Sequence, residues 1–199
     1  MIIYLTSPEI PCFLSNITVL RNPIIGPICT TIQSIYFDRE SDGSKYDAMD
    51  GINKRVEQIG KKNLYYPALC IFPEGTTNNG EFLMEFKKGG FVNEYHPITI
   101  SSLRWSSQVN PCLNMTDLLT NFVFNMSNWG AELTIAEFEP FDPMYSIEKR
   151  GLQPNDEENW KYILEDVYYL YEYAFNLPSS HDTFRDKKAL KQSLNLTFK

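Results

Sequence analysis

The sequence predicts an α/β fold, a mixed and mostly parallel sheet flanked by helices, from three observations. Short apolar runs at Cys12–Leu14, Ser34–Phe37 and Ala68–Phe72 have the length of buried strands. Between the second and third runs, Met49, Ile52, Val56 and Ile59 recur at the three- and four-residue spacing of an amphipathic helix over 44–62. Strand and helix therefore alternate along the chain, and parallel neighbours need such crossover helices.

Each element has its own local signal. Asn22-Pro23 opens a helix holding Ile24, Ile25, Ile28 and Ile32, in which Pro27 is tolerable only in the first turn. Ser34-Ile35-Tyr36-Phe37 then reads as strand and ends in the charges of Asp38 and Arg39. In the helix over 44–62, Asp47, Lys54, Arg55, Glu57 and Lys61 fall outside the apolar stripe and are expected on a solvated face. Ala68–Phe72 is expected to be a buried strand stopped by Pro73, which cannot donate to a ladder.

Past Phe91, the apolar Ile98 and Ile100 follow His96-Pro97. Met115–Trp129 fits a helix packed on the sheet, or one lying in a membrane interface as aromatic-rich amphipathic helices do. Ala131–Phe138 alternates as a strand that Pro140 and Pro143 terminate. A final helix over 156–175 has a wide apolar face and a capping signal at Asn155.

Composition narrows the function classes. With 199 residues, 43% of them apolar, the chain can bury a sizeable core. A net charge of −7 argues against nucleic acid as a partner and gives no support to general attraction by an anionic membrane. The four cysteines, Cys12, Cys29, Cys70 and Cys112, form no C-x-x-C pair and are expected as reduced, cytosolic-type core residues rather than disulfides or metal ligands. No apolar stretch of spanning length occurs.

Chemistry concentrates after Phe72. Glu74 follows a strand end, Gly75 permits torsions that a side chain would block, and Thr76-Thr77-Asn78-Asn79-Gly80 is turn chemistry. A loop at the carboxyl end of a strand is where an open α/β sheet binds ligands.

The block F-P-E-G-T-T-x-N-G, followed by an apolar pair and F-K-x-G-x-F, resembles the third block of the glycerolipid acyltransferases of the PlsC type. It is most similar to their lysophosphatidylcholine and lysophosphatidylethanolamine branch. Pro23, Gly26, Pro27, Ile28, Gln33, Ile35, Phe37, Asp38 and Arg39 match the second block, and Tyr95-His96-Pro97-Ile98-Thr99-Ile100 resembles the fourth, which implies an apolar strand at Ile98–Ile100. The resemblance implies transfer of a fatty acyl group from acyl-CoA, as co-substrate and with no other cofactor or metal, to a lysophospholipid or glycerol phosphate hydroxyl. It also implies a membrane surface, such as the endoplasmic reticulum or another endomembrane, as the working place.

On the same ground, Arg39 would contact the acceptor phosphate, a role that suits a planar, permanently charged guanidinium. Pairing of Arg39 with Asp38, Glu40 or Asp42 is the structural alternative. Glu74, Gly75 and Thr76 would shape the acceptor site. The resemblance assigns 1–176 to one acyltransferase domain, incomplete at its N-terminus; the polar residues 177–199 are expected as a loose tail or the start of a further element.

One part of the family pattern is missing. The first block, H-x-x-x-x-D, supplies the base and the group that orients it, and it precedes the second block. Here the spacing occurs only at His181 and Asp186, in the polar tail and after the third block, so it is a formal match. His96 falls at a variable position before the family's Pro and is expected to be a structural or surface histidine rather than a catalytic one. Met1–Leu5 resembles the segment that follows the family's Asp, which would put the block upstream of residue 1. Truncation of a full enzyme and true loss of the base both fit; as written, the chain is expected to be inactive or nearly so.

Overall fold

The computed structural model describes residues 10–38, 44–59, 67–92, 96–107 and 118–193. The chain separates into two compact units, Met1–Phe72 and Pro73–Lys199.

In the first unit, β1 (Cys12–Asn16), β2 (Ile35–Phe37) and β3 (Leu69–Cys70) form a parallel sheet in the order β2-β1-β3. Leu14 stands opposite Ile35, and Cys12 opposite Leu69. The crossovers are α1 (Ile25–Thr31), entered through a 3-10 turn at Ile17–Arg21, and α2 (Ser44–Ile59). This is the expected α/β arrangement.

The second-block residues are built into the first crossover. The Asn22 side chain accepts from the N–H groups of Ile24 and Ile25, and Pro27 sits in the first turn of α1, where a missing N–H costs nothing. A Cβ on Gly26 would lie 2.8 Å from the Leu20 carbonyl oxygen, so only glycine lets helix and turn approach this closely.

Two expectations change here. Pairing at the third run is confined to Leu69 and Cys70, at the sheet edge, and Phe72 is exposed. Beyond the two paired residues its ring stacks on Phe13 of β1, with centroids 6.2 Å apart, and leaves its other face to solvent. Arg55 is not on the solvated face: its Nη1 lies 3.1 Å from the Cys12 Sγ and its Nη2 donates to the Gln33 carbonyl at 2.9 Å. A long amphipathic side chain can run over apolar surface while its head satisfies a carbonyl, here in the connection between α1 and β2. Among the described cysteines, Cys12, Cys29 and Cys70 are free thiols, and burial with the neighbouring Cys12 pushes Cys70 up to about 11. Cys112 lies outside the described residues.

The second unit packs on one helix. In chain order it holds β4 (Ser101–Ser107), α3 (Leu118–Met126), β5 (Ala131–Glu137), α4 (Pro143–Lys149), α5 (Asn159–Phe175) and α6 (Phe184–Ser193). Ile163 and Val167 of α5 meet Ile147 of α4 and Leu83, Phe86, Phe91 and Ile100 in one buried cluster. Phe86 sets its ring edgewise to Tyr168 and Tyr171, with centroids 4.8 and 5.6 Å away, so the end of the Glu74 loop is anchored on α5.

Four local expectations are corrected. Ile98 makes only an isolated bridge to Phe141, and the strand proper runs on the polar Ser101–Ser107, paired antiparallel with β5. Pro143 does not merely end a strand: it opens α4, with the Asp142 side chain accepting from the Met144 N–H at 3.0 Å. Helix α5 begins at Asn159 because Asp156 spends its carboxylate on the Glu158 N–H before the helix starts. The segment expected as a loose tail is ordered through 193, since Pro178, Ser180 and Asp182 bond to the main chain of Leu83 and Glu85.

Within the Met115–Trp129 stretch, Leu118–Met126 forms α3, but Val123, Phe124 and Met126 are exposed, and Trp129, beyond the helix, is 99% exposed. The core-packed alternative does not hold for these side chains.

Candidate functional site

The loop after β3 is closed by its own side chains. Glu74 is half-buried; its Oε1 accepts from the Met84 N–H at 3.1 Å and its Oε2 from the Asn78 amide at 2.8 Å. The same amide donates to the Phe82 carbonyl at 3.1 Å, while Asn78 Oδ1 accepts from the Gly80 N–H at 2.7 Å. Asn79 adds an acceptor for the Glu81 N–H at 3.3 Å. The main chain is pinned at the base, where the Lys87 N–H donates to the Pro73 carbonyl at 2.8 Å.

Gly75 takes φ +65° and Gly80 φ +78°, the left-handed region that suits glycine at these turns. The Thr76 side chain is half-buried, with its Oγ1 3.5 Å from the Thr77 carbonyl oxygen. Burial raises the Glu74 carboxyl above the usual range, opposed by the Met84 and Asn78 hydrogen bonds and by the Lys187 charge. Glu74 therefore shapes the turn with its carboxylate already engaged; it does not project a free charge.

A second segment holds this loop from outside. Leu83 pairs with Ser179 as an isolated parallel bridge; its N–H donates to Pro178 and its carbonyl accepts from the Ser180 N–H, each at 3.0 Å. Beyond the bridge, the Lys187 ammonium donates to the Thr77 carbonyl. The sequence reading missed this strap, although Thr183-Phe184-Arg185-Asp186 carries the T-x-x-D spacing of a capping box. The box is formed: Thr183 Oγ1 accepts from the Asp186 N–H at 3.4 Å, and Asp186 Oδ2 accepts from the Thr183 N–H at 2.7 Å.

That arrangement settles the formal H-x-x-x-x-D match. Asp186 is the capping partner of Thr183, whose hydroxyl and N–H hold its carboxyl below the ordinary range, and His181 is exposed. The spacing arises from a helix start. His96 is half-buried, just ahead of the Ile98–Phe141 bridge. Of the expected site residues, Glu74, Gly75 and Thr76 share this loop, while Arg39 lies outside the described residues.

The loop falls within residues 1–101, which match the family model described as Acyltransferase. The chain belongs to the acyltransferase family. Among curated acyltransferases, the lysophospholipid acyltransferase LPEAT1 of Arabidopsis thaliana is 34% identical over 92 residues, which is 46% of this chain and 23% of that protein. The lysophospholipid acyltransferase LPCAT4 of Xenopus tropicalis is 33% identical over 84 residues, 42% of this chain and 15% of that protein. Human lysophosphatidylcholine acyltransferase 2 is 25% identical over 191 residues, 94% of this chain and 32% of that protein. The chain thus spans no more than a third of these relatives. No solved structure matches it.

Proposed function

We propose that this acyltransferase chain moves a fatty acyl group from acyl-CoA to the hydroxyl of a lysophospholipid, with Glu74, Gly75 and Thr76 shaping the acceptor site and Arg39 holding the acceptor phosphate. The observation that carries the reading is the Glu74 loop, whose turn is preorganised by hydrogen bonds to Met84 and Asn78 within the matched region. Preorganisation of this kind places an acceptor without ordering cost at the moment of reaction. Relatives named for lysophospholipids support the acceptor class.

A lipid acceptor requires contact with a lipid surface, and exposed Val123, Phe124, Met126 and Trp129 are side chains suited to it. Among the described residues no helix is long and apolar enough to cross a membrane.

The second reading, a non-catalytic lipid- or partner-binding module, is favoured by one finding: Asp186, in the only H-x-x-x-x-D spacing of the chain, is committed to a helix cap. Without a base, turnover falls by roughly 100- to 10,000-fold. The two readings separate when the purified 199-residue chain, and a form carrying an H-x-x-x-x-D segment ahead of residue 1, are assayed with acyl-CoA and lysophosphatidylcholine. Turnover by the longer form alone supports the enzyme reading. Saturable lysophospholipid binding with no consumption of acyl-CoA by either form supports the module, and robust turnover by the short chain overturns the expected inactivity.

A further inference from the structure

A groove of about 400 Å³ opens between the first turns of α5 and residues 85–88. Phe86, Leu164 and Trp160 line it with apolar surface, and Lys87, Lys88 and Lys161 line it together with Glu85, the Lys87 charge also acting on the Asp186 carboxyl. Lys161 shares its charge with Glu158 at 2.6 Å, while Lys88 holds its ammonium 5.0 Å from the centre of the Trp160 ring. In a chain of net charge −7, the Lys88 ammonium over the Trp160 indole, with the Lys87 and Lys161 side chains alongside, gives this groove its cationic groups. The groove also adjoins the Glu74 loop: the Lys87 stem runs 3.5 Å from where a Cβ on Gly75 would stand.

We propose that this groove binds the phosphorylated adenosine portion of coenzyme A, so that the acyl donor is held beside the loop that shapes the acceptor site. The inference rests on the proposed acyl transfer for its choice of donor. The chemistry of the groove selects it over the acceptor's head group. Several phosphates match several lysines, each acting as a point charge. A purine stacks on the Trp160 face that Lys88 now covers, as that ammonium moves to a phosphate; cation–π contacts at exposed sites are weak enough to exchange. A phosphocholine head group brings a quaternary cation that the same lysines repel. The volume lies within the ordinary range of small-molecule sites, about 300–1,000 Å³.

The test uses the 199-residue chain with W105F and W129F, which leaves Trp160 as the sole tryptophan reporter. Coenzyme A is expected to change its fluorescence saturably, whereas pantetheine, the same molecule without its phosphorylated nucleotide, leaves it unchanged. K88M is expected to weaken coenzyme A binding by roughly tenfold, and K88R to restore most of it, because the guanidinium also serves phosphate. Raising the salt to about 0.3 M weakens the wild-type interaction through screening.

Equal response to pantetheine, indifference to K88M, or displacement of coenzyme A by glycerophosphocholine overturns the assignment; the last result would give the groove to the acceptor. The outcome is separable from that of the function. Saturable, lysine-dependent coenzyme A binding by a protein that never transfers an acyl group leaves the groove standing and removes the enzyme reading. Acyl transfer whose KM for acyl-CoA is untouched by K88M removes the groove and leaves the enzyme.

Discussion

Residues 73–87 carry no regular element beyond the bridge at Leu83, whereas β4 and β5, in the same unit, pair from Ser101 opposite Glu137 to Ser107 opposite Ala131. The regular ribbon is nevertheless the less anchored of the two. Leu103, Trp105 and Ile135, which alternate onto one face of it, are each more than a third exposed. In the irregular loop, Leu83, Met84 and Phe86 are buried, and Glu74 and Asn78 close the turn through side chains. Main-chain ladders alone give a two-stranded ribbon little stability in water, and side-chain burial and satisfied polar groups decide how firmly a segment is held.

Removing Phe86 should have the largest effect, because it is buried and its ring meets Tyr168 and Tyr171 at their edges. Phe86→Ala is expected to cost about 3–5 kcal/mol in chemical denaturation followed by tryptophan fluorescence, all three tryptophans lying in this unit. A cost near zero would show that the loop end is not anchored on α5.

Glu74→Ala comes next, since it strands the Met84 N–H and one donor of Asn78. About 1–3 kcal/mol is expected, with faster hydrogen exchange at Met84 and Gly80 and no change along β4 and β5. The pH dependence sharpens this. The folded Glu74 carboxyl lies above its unfolded value, so the folded state holds the proton over the window just above the ordinary carboxylate range. Stability contributed by this group is therefore lost as pH rises through that window. Glu74→Gln cannot titrate and should flatten that part of the profile; an unchanged slope would place the titration elsewhere.

Lys187→Met tests the strap. Its ammonium is partly solvent-exposed, so a cost of no more than about 1 kcal/mol is expected, yet exchange at the Gly80 and Glu81 amides should quicken while Arg185 and Asp186, fixed by the capping box, stay protected. Equal exchange in mutant and parent would mean that the C-terminal segment does not restrain the loop. The smallest effect is expected on the ribbon: Trp105→Thr keeps strand propensity and should change stability by about 0.5 kcal/mol or less. A much larger loss would show that something covers this face and would break the comparison.

What could be read in advance follows the range of the interactions involved. The α1 entry at Asn22-Pro23, the stripe of α2 and the strand at 131–137 are periodic or capping signals, and each was legible. Arg55 was misplaced because its position relative to the apolar stripe says nothing of a Cys12 thiol forty-three positions away. Asp142-Pro143 was legible in principle as a cap with Pro in the first turn. The role of Lys187 at Thr77 was not, because the two are 110 positions apart.

By itself the sequence determined the strand and helix alternation, the block that marks the acyltransferase family, and the glycines at which the turn takes positive φ, since all of these depend on neighbours a few residues away. Only the tertiary structure decided that Glu74 is engaged on both oxygens, that Asp186 caps a helix, and that three lysines gather beside Trp160. Charge and hydrogen-bond capacity are spent on whichever groups folding brings near, and a linear pattern carries no record of those distances.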